Sequence, residues 1–423
     1  MKRLVFVWIA LCLSGMEVMR ASGPPGTQVA PGEKVQYKIG EQQLLRVPDL
    51  TFELGIMGKD GSHYAVQGLK GNTFTVYVDG RAGPACEEVR GLVLSRDGTR
   101  SAYGARKDKK WTIVLDGRPG PTCDNVTPPA FSPDGKRVAY GAKDPRNWAM
   151  LVNGRPGASF NYMGTPVFST DGTRLAYPAG EGYGSSDCVV VDNQKGPRYE
   201  RVKDVTFSPD GKRVAYVGWK RGEGWMVVVD GKPGHTYDEV NGLVFSLDGK
   251  HVVYAAKNEK GWFVVLDERP GPEFDWMSEV AFSPDGTTIA YGACKPKAKW
   301  FMFVGGQQLP GDGYDSISEP VFSPDGARLG FQARKKGKNL IVVDSKEGVE
   351  YARVSSLVFS PDGKAFAYAA CQESNWLVVV GYQEGQGYDK VWDIGFRKGG
   401  AVEYLAAKPG LLYRVKHTPG GAK

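Results

Sequence analysis

Residues 207–216 read FSPDGKRVAY, and residues 225–231 read WMVVVDG. In the first stretch Pro209 presets φ for a turn, Asp210 can bond its own backbone, and Gly211 accepts a positive φ. Residues 213–217 then alternate and are rich in strand formers, while 225–229 form a near-continuous apolar run, the pattern of a strand covered on both faces. Asp230-Gly231 makes a second tight turn. With the preceding run Val205-Thr206-Phe207 and a short segment at Tyr237-Asp238-Glu239-Val240, the unit holds four strands: a before FSPDG, b after it, c at VVVDG and d at YDEV.

The unit recurs. FSPDG stands intact at 131–135, 282–286, 322–326 and 359–363; MGKDG at 57, LSRDG at 94, FSTDG at 168 and FSLDG at 245 are near copies, and FRKGG at 396 is a worn one. The Asp-Gly steps at Asp60, Asp97, Asp134, Asp171, Asp210, Asp248, Asp285, Asp325 and Asp362 are spaced by 37 to 40 residues. So short a period means stacked supersecondary units rather than independent domains. Four short antiparallel strands in roughly 40 residues, with no helical periodicity, match the blade of a β-propeller. The expectation is an all-β propeller of about ten four-stranded blades, above the usual range of roughly four to eight. The termini complement each other in repeat phase: 34–48 look like c and d, and 391–416 like a, b and c, so one blade built from both ends would close a ring. Two smaller rings are the alternative, but no long linker interrupts the register, which favours one large ring.

FSPDGKRVAY resembles the WD40-like repeat of TolB-type propellers, found also in the propellers of tricorn and prolyl oligopeptidase proteins, and the resemblance runs from residue 51 to about 407. It implies a propeller in an exported setting. It implies no single function, because such repeats serve binding, scaffolding and gating. TolB-like proteins also carry an N-terminal α/β domain, which this chain is read as lacking.

Residues 1–23 have the pattern of a secretory signal: Lys2-Arg3, the apolar run LVFVWIALCL, and small residues around Ala21-Ser22-Gly23. That run is too short to span a bilayer, so no transmembrane segment is expected. Leu11 before Cys12, where a lipoprotein signal wants a small residue, argues against lipid anchoring. A Pro/Gly-rich linker follows at 24–33, the propeller is expected over 34–417, and 418–423 read as a disordered tail. The expected location is therefore exported, periplasmic or extracellular. The cysteines beyond the signal, at 86, 123, 188, 294 and 371, have no metal-ligand spacing. Cys86 and Cys123 occupy a slot that holds Tyr or Phe in other copies, which suggests buried thiols filling equivalent packing positions. The formal charge of +7 comes with no nucleic-acid-binding motif, so no nucleic-acid partner is expected.

Chemistry is sparse. His63, His235, His251 and His417 fall at unrelated places in the repeat, so no zinc or triad constellation assembles. Gly182-Tyr183-Gly184-Ser185-Ser186-Asp187 lacks the second glycine of a nucleophile elbow and reads as a loop. SPDG offers one carboxylate per turn where a calcium loop needs several oxygens. No catalytic residue, cofactor or metal site is expected. What stands out is the loop between b and c, which gathers Arg106, Lys107, Lys109 and Lys110 in one repeat, Lys295, Lys297 and Lys299 in another, and Arg334, Lys335, Lys336 and Lys338 in a third. A tryptophan often ends it, at Trp111, Trp148, Trp225, Trp262, Trp300 and Trp376. A basic, aromatic face of this kind could grip a protein or an anionic or sugar-bearing envelope polymer. Against this, the d-to-a connections should share that face and carry Glu87, Glu88, Asp238, Glu239, Asp275, Glu279, Asp315 and Glu319, and the tryptophans could simply pack between blades. A carbohydrate-active or lyase enzyme with its site at the central channel is the rival reading. It would need carboxylates facing inward from strand a, which here is mostly apolar (LVFS, VTFS, VAFS).

Overall fold

The SPDG turn organises each blade. In the computed structural model, which describes residues 36–182, 186–295, 299–397 and 399–420, Ser208 Oγ donates to Asp210 Oδ1 at 2.6 Å. Asp210 Oδ1 also accepts from the Lys212 amide at 3.1 Å, and Ser208 Oγ accepts from Arg213 N at 3.0 Å. The buried serine is thus fully used, and Gly211 sits at φ 71°. The same bonds hold the carboxyls of Asp97, Asp134, Asp210, Asp248, Asp285 and Asp362 below their usual range, with the serine hydrogen bond as the largest cause; that of Asp171 falls to about 2, with the hydrogen bond from Ser169 as the largest cause. The turn after strand c has Asp230 at φ 52° and Gly231 at φ 77°. Two consecutive positive φ values make a type I′ turn, whose twist matches that of the flanking strands.

The blade that holds this turn runs Arg201–Phe207 (a), Val214–Lys220 (b), Gly224–Val229 (c) and Lys232–Tyr237 (d), hydrogen-bonded in that order. Strand d therefore lies earlier than YDEV suggests. Tyr237 ends it, and Glu239 already begins strand a of the next blade, Glu239–Phe245. Because strand c turns back at once through its type I′ turn, d pairs with c directly: Val229 opposes Lys232 and Trp225 opposes Tyr237.

Ten such sheets form in chain order, and among the described residues there is no helix. Blades 1 to 9 begin with the a strands at Thr51, Glu88, Asn125, Tyr162, Arg201, Glu239, Trp276, Ser316 and Arg353. In blades 3 and 4 strand a is split into two short pieces, because Pro128-Pro129 and Pro166 cannot donate to the ladder. Blade 10 is built from both ends of the chain. Lys390–Phe396, Val402–Lys408 and Leu411–Pro419 supply a, b and c, and Tyr37–Arg46 supplies d, pairing from Tyr37 with Pro419 to Arg46 with Leu411. The N-terminal stretch expected to give c and d gives only d. Thr418 and Pro419, expected in a tail, belong to this ladder. The innermost strands touch in sequence around the whole circle, and strand a of blade 10 meets strand a of blade 1. The molecule is therefore one ten-bladed ring, not two smaller ones.

Blades pack face to face. Ala215, Val217 and Val227 of blade 5 meet Val240, Phe245, Tyr254 and Val265 of blade 6. A column of buried tyrosines, Tyr103, Tyr177, Tyr216, Tyr254, Tyr291, Tyr368 and Tyr404, repeats the last letter of FSPDGKRVAY around the ring. A polar link joins neighbours at the turn face. Arg213 Nε meets Asp230 Oδ2 at 3.0 Å, its Nη1 donates to the Gly249 and Lys250 carbonyls at 3.2 and 2.9 Å, and its guanidinium lies over the Phe245 ring. Arg100, Arg174 and Arg328 repeat the arrangement. His63 and His251 occupy this same arginine slot and pair with Asp79 and Asp267. The histidines are thus not unrelated in position: two of them are variants of one structural link.

Candidate functional site

Register decides which connections share a face. Glu88 pairs with Arg106, Arg106 with Trp111, and Trp111 with Cys123. The starts of a and c and the ends of b and d therefore meet at one face, where the b–c and d–a connections emerge together. The SPDG and VDG turns lie on the other.

On the loop face many cations are already paired. Arg106 reaches Glu88 at 3.1 Å and Glu87 at 3.6 Å, Lys110 reaches Asp124 at 2.5 Å, and Lys335 reaches Glu347 at 2.7 Å. Lys107, Lys109, Arg334, Lys336 and Lys338 sit at exposed ends or tips of their hairpins and make no ion pair among the described residues. Lys109 and Lys336 occupy the turn positions with φ 64° and 49°. Lys295 and Lys299 are exposed on blade 7; Lys297 lies outside the described residues, as do Tyr183, Gly184 and Ser185 of the would-be elbow.

The tryptophans are placed differently from the lysines. Trp111 and Trp262 are 4% and 8% exposed and have almost no surface to offer a partner. Trp148, Trp225, Trp300 and Trp376 are half-buried against the interblade cores. All six face the slot at the end of d: Trp148 opposes Phe160, Trp225 Tyr237, Trp262 Phe274, Trp300 Tyr314, Trp376 Tyr388, and Trp111 opposes Cys123. The indoles of Trp111, Trp225, Trp262 and Trp376 also carry cations, with the Arg90 guanidinium 4.0 Å from the Trp111 centroid and Lys203 4.9 Å from that of Trp225. Cys86 and Cys123 do fill equivalent positions, and the five described cysteines are free thiols.

Among the described residues the exposed tryptophan is Trp276, at 62%, which the loop pattern does not reveal. It stands at the first residue of strand a in blade 7, where the other blades carry Thr51, Glu88, Asn125, Tyr162, Arg201, Glu239, Ser316, Arg353 and Lys390. No sequence signal marks it, because this slot holds acidic, basic, polar and aromatic residues in turn.

The channel wall differs from the sequence expectation too. Strand a carries a bulge in most blades, with register shifts between Lys203 and Thr206, Met277 and Val280, Ser318 and Val321, and Trp392 and Gly395. The extra residue takes a left-handed φ at Asp204 (54°), Glu319 (52°) and Asp393 (54°). Asp204, Glu279, Glu319 and Asp393 are exposed on these innermost strands, so carboxylates do line the channel. The apolar letters after each bulge pack between blades, whereas the bulged residue is turned out of that alternation. Water touches these carboxyls on the channel side and protein surrounds them on the others. Burial pushes the pKa values of Asp204, Glu319 and Asp393 up; the neighbouring Glu279 adds to the effect at Glu319, whose amide donates to Glu279 Oε2 at 3.3 Å. An apolar channel wall is thus no argument against channel chemistry. Of the acids expected in d–a loops, Glu88, Glu239, Glu279 and Glu319 lie within strand a.

No family model matches the sequence, and no curated protein matches it. Similarity appears among solved structures. A crystal structure of a eukaryotic initiation factor aligns over 90% of this chain and 94% of its own, with a TM-score of 0.50 and 13% identity. The β-propeller domain of the Trilobed protease from Pyrococcus furiosus, which has an open velcro topology, aligns over 71% of this chain and 98% of its own, with a TM-score of 0.37 and 12% identity. At such identities the likeness is one of fold.

Proposed function

We propose that this propeller is a binding scaffold whose loop face takes an anionic partner, a protein or an envelope polymer. The observation that carries the reading is the split among the cations of that face: those near the blade body are paired with acids, while Lys107, Lys109, Arg334, Lys336 and Lys338 project unpaired. Unpaired lysines at hairpin tips raise the local positive potential without stabilising the blade, and they attract polyanions from a distance. The ring behind them is held by interblade cores and arginine links, so the face is a rigid platform. The inward carboxylates at Asp204, Glu279, Glu319 and Asp393 support a second reading, a carbohydrate-active or lyase enzyme with its site at the central channel. An exported setting is part of the proposal, supported by the charged then apolar start of the chain and by the resemblance of FSPDGKRVAY to TolB-type repeats. No helix among the described residues is long and apolar enough to cross a membrane.

The test is capture from envelope and secreted fractions with three proteins. The native chain should retain a partner that a Lys336→Glu/Lys338→Glu variant loses, while Lys212→Glu/Lys250→Glu, on the opposite face, keeps it. Equal capture by all three would remove the loop face from consideration.

A further inference from the structure

Blades 7 and 8 are neighbours, and their innermost strands are in contact. Together they bring Lys295, Lys299, Arg334, Lys336 and Lys338 to one sector of the loop face, and Trp276 opens strand a of blade 7 at the same face. The register places Trp276 opposite Cys294, next to Lys295, and Ser316 opposite Arg334 on the adjoining blade. Acids are present as well, at Asp275, Asp312 and Asp315, but one Asp315 oxygen is engaged by the Gly337 amide at 3.2 Å. Trp276 is the most exposed large apolar side chain among the described residues. The indole is therefore held in water at the channel mouth, with Lys295 next along the facing strand and Arg334 at the corresponding place on blade 8.

We infer that this sector binds an anionic polysaccharide, one sugar ring lying on the Trp276 indole and its carboxylate or sulfate groups meeting the lysines of blades 7 and 8; this rests on the loop-face reading above. Three features favour a charged glycan over an acidic protein. Protein interfaces are depleted in lysine at their centre and are built around contiguous apolar anchors. Here the exposed apolar side chains are not contiguous: Leu247 and Tyr382 belong to the a–b and c–d turns of the opposite face, and Val349 lies on the outermost edge of blade 8, whereas Trp276 is on the innermost strand of blade 7. An indole face is electron-rich and flat, suited to the polarised C–H face of a sugar ring, while long hydrated lysines suit charges spaced along a flexible chain. The third feature is the channel itself. Glu279, three residues beyond Trp276, and Glu319 line its wall, so a polyanion is repelled from the bore and held across its mouth.

The experiment titrates the full chain with polygalacturonate, with poly-glutamate of matched charge, and with neutral dextran, at two salt concentrations. The variants are Trp276→Ala, an exposed position whose loss leaves the core intact, and Lys336→Ala/Lys338→Ala, with melting temperature as the folding check. Polygalacturonate should bind most tightly. Trp276→Ala should weaken it about tenfold, the effect of removing an aromatic anchor, with the salt dependence kept. The lysine pair should instead flatten the salt dependence. If poly-glutamate binds as tightly as polygalacturonate and Trp276→Ala changes neither, the glycan inference is wrong and the loop-face reading stands. If neither polyanion binds the native chain at low salt, both are wrong.

Discussion

Gly211 shows what a single residue of the repeat must do. Its φ of 71° lies in the left-handed region, and a Cβ built there would come within 3.2 Å of Asp171 Oδ1 and 3.3 Å of Ser169 Cβ in the preceding blade. Strain and crowding act together, so Gly211→Ala should cost at least about 1–2 kcal/mol, read as a lower denaturant midpoint at unchanged slope. An unchanged midpoint would mean that the turn relaxes freely and does not fix the spacing between blades. The arginine two residues on serves the same contact. Arg213 reaches across to the carbonyls of the next SPDG turn, which explains why basic residues follow DG so often in a chain whose turn aspartates might otherwise repel one another around the ring.

At the scale of elements, blade 10 differs from the rest because two chain ends meet in it. His417 lies on its strand c, fully buried, with Nε2 3.1 Å from the Tyr404 hydroxyl, and burial holds its imidazole at about 4. The sign follows from proton counts. Between about 4 and the ordinary value of 6.5, the unfolded chain binds a proton at this residue that the folded ring does not. Stability is therefore full above 6.5 and falls as pH drops through that window, by on the order of 3 kcal/mol. The raised carboxyls of Asp204, Glu319 and Asp393 act in the opposite direction, since they bind protons more readily when folded. His417→Gln should consequently leave a melting temperature that declines less from pH 6.5 to pH 4 than that of the native protein. Parallel declines in the two proteins would show that His417 is not the group being protonated.

For the molecule as a whole, closure is the central property. Strand Tyr37–Arg46 covers the edge of Leu411–Pro419 and completes the one blade that, among the described residues, is made from distant parts of the chain. Gln383 ties it to blade 9 by bonds to both the amide and the carbonyl of Tyr37, at 2.9 and 3.0 Å. Every blade leans on two neighbours, so the ring should unfold as one cooperative unit. Calorimetry of the full chain should give a single transition. A chain starting at Val47 should melt several degrees lower and over a broader range, because an open ring can fray from its ends. Two separate transitions in the full chain, or a melting temperature unmoved by the truncation, would contradict closure as the source of stability.

The repeat period, the SPDG and VDG turns, the strand pattern and the shared closing blade are all legible in the sequence. They depend on local chemistry, that of proline, aspartate and glycine in turns and of alternation in strands, and local chemistry is written residue by residue. The sequence does not place strand d, because Tyr-Asp-Glu-Val straddles two blades and nothing local marks where one sheet ends. Whether ten blades make one ring or two depends on how neighbouring faces meet, a sum over the whole circle that no single repeat contains. The candidate site divides in the same way. The lysines of the b–c loops could be picked out because hairpin tips are always exposed, yet Arg106, Lys110 and Lys335 proved to be paired with acids from other strands. The loop tryptophans turned inward because each opposes a side chain at the end of d. Trp276 and the bulged carboxylates at Asp204, Glu279, Glu319 and Asp393 could be found only in three dimensions. Exposure at the channel mouth and the shift of one residue out of the alternation are consequences of packing ten strands around a common axis.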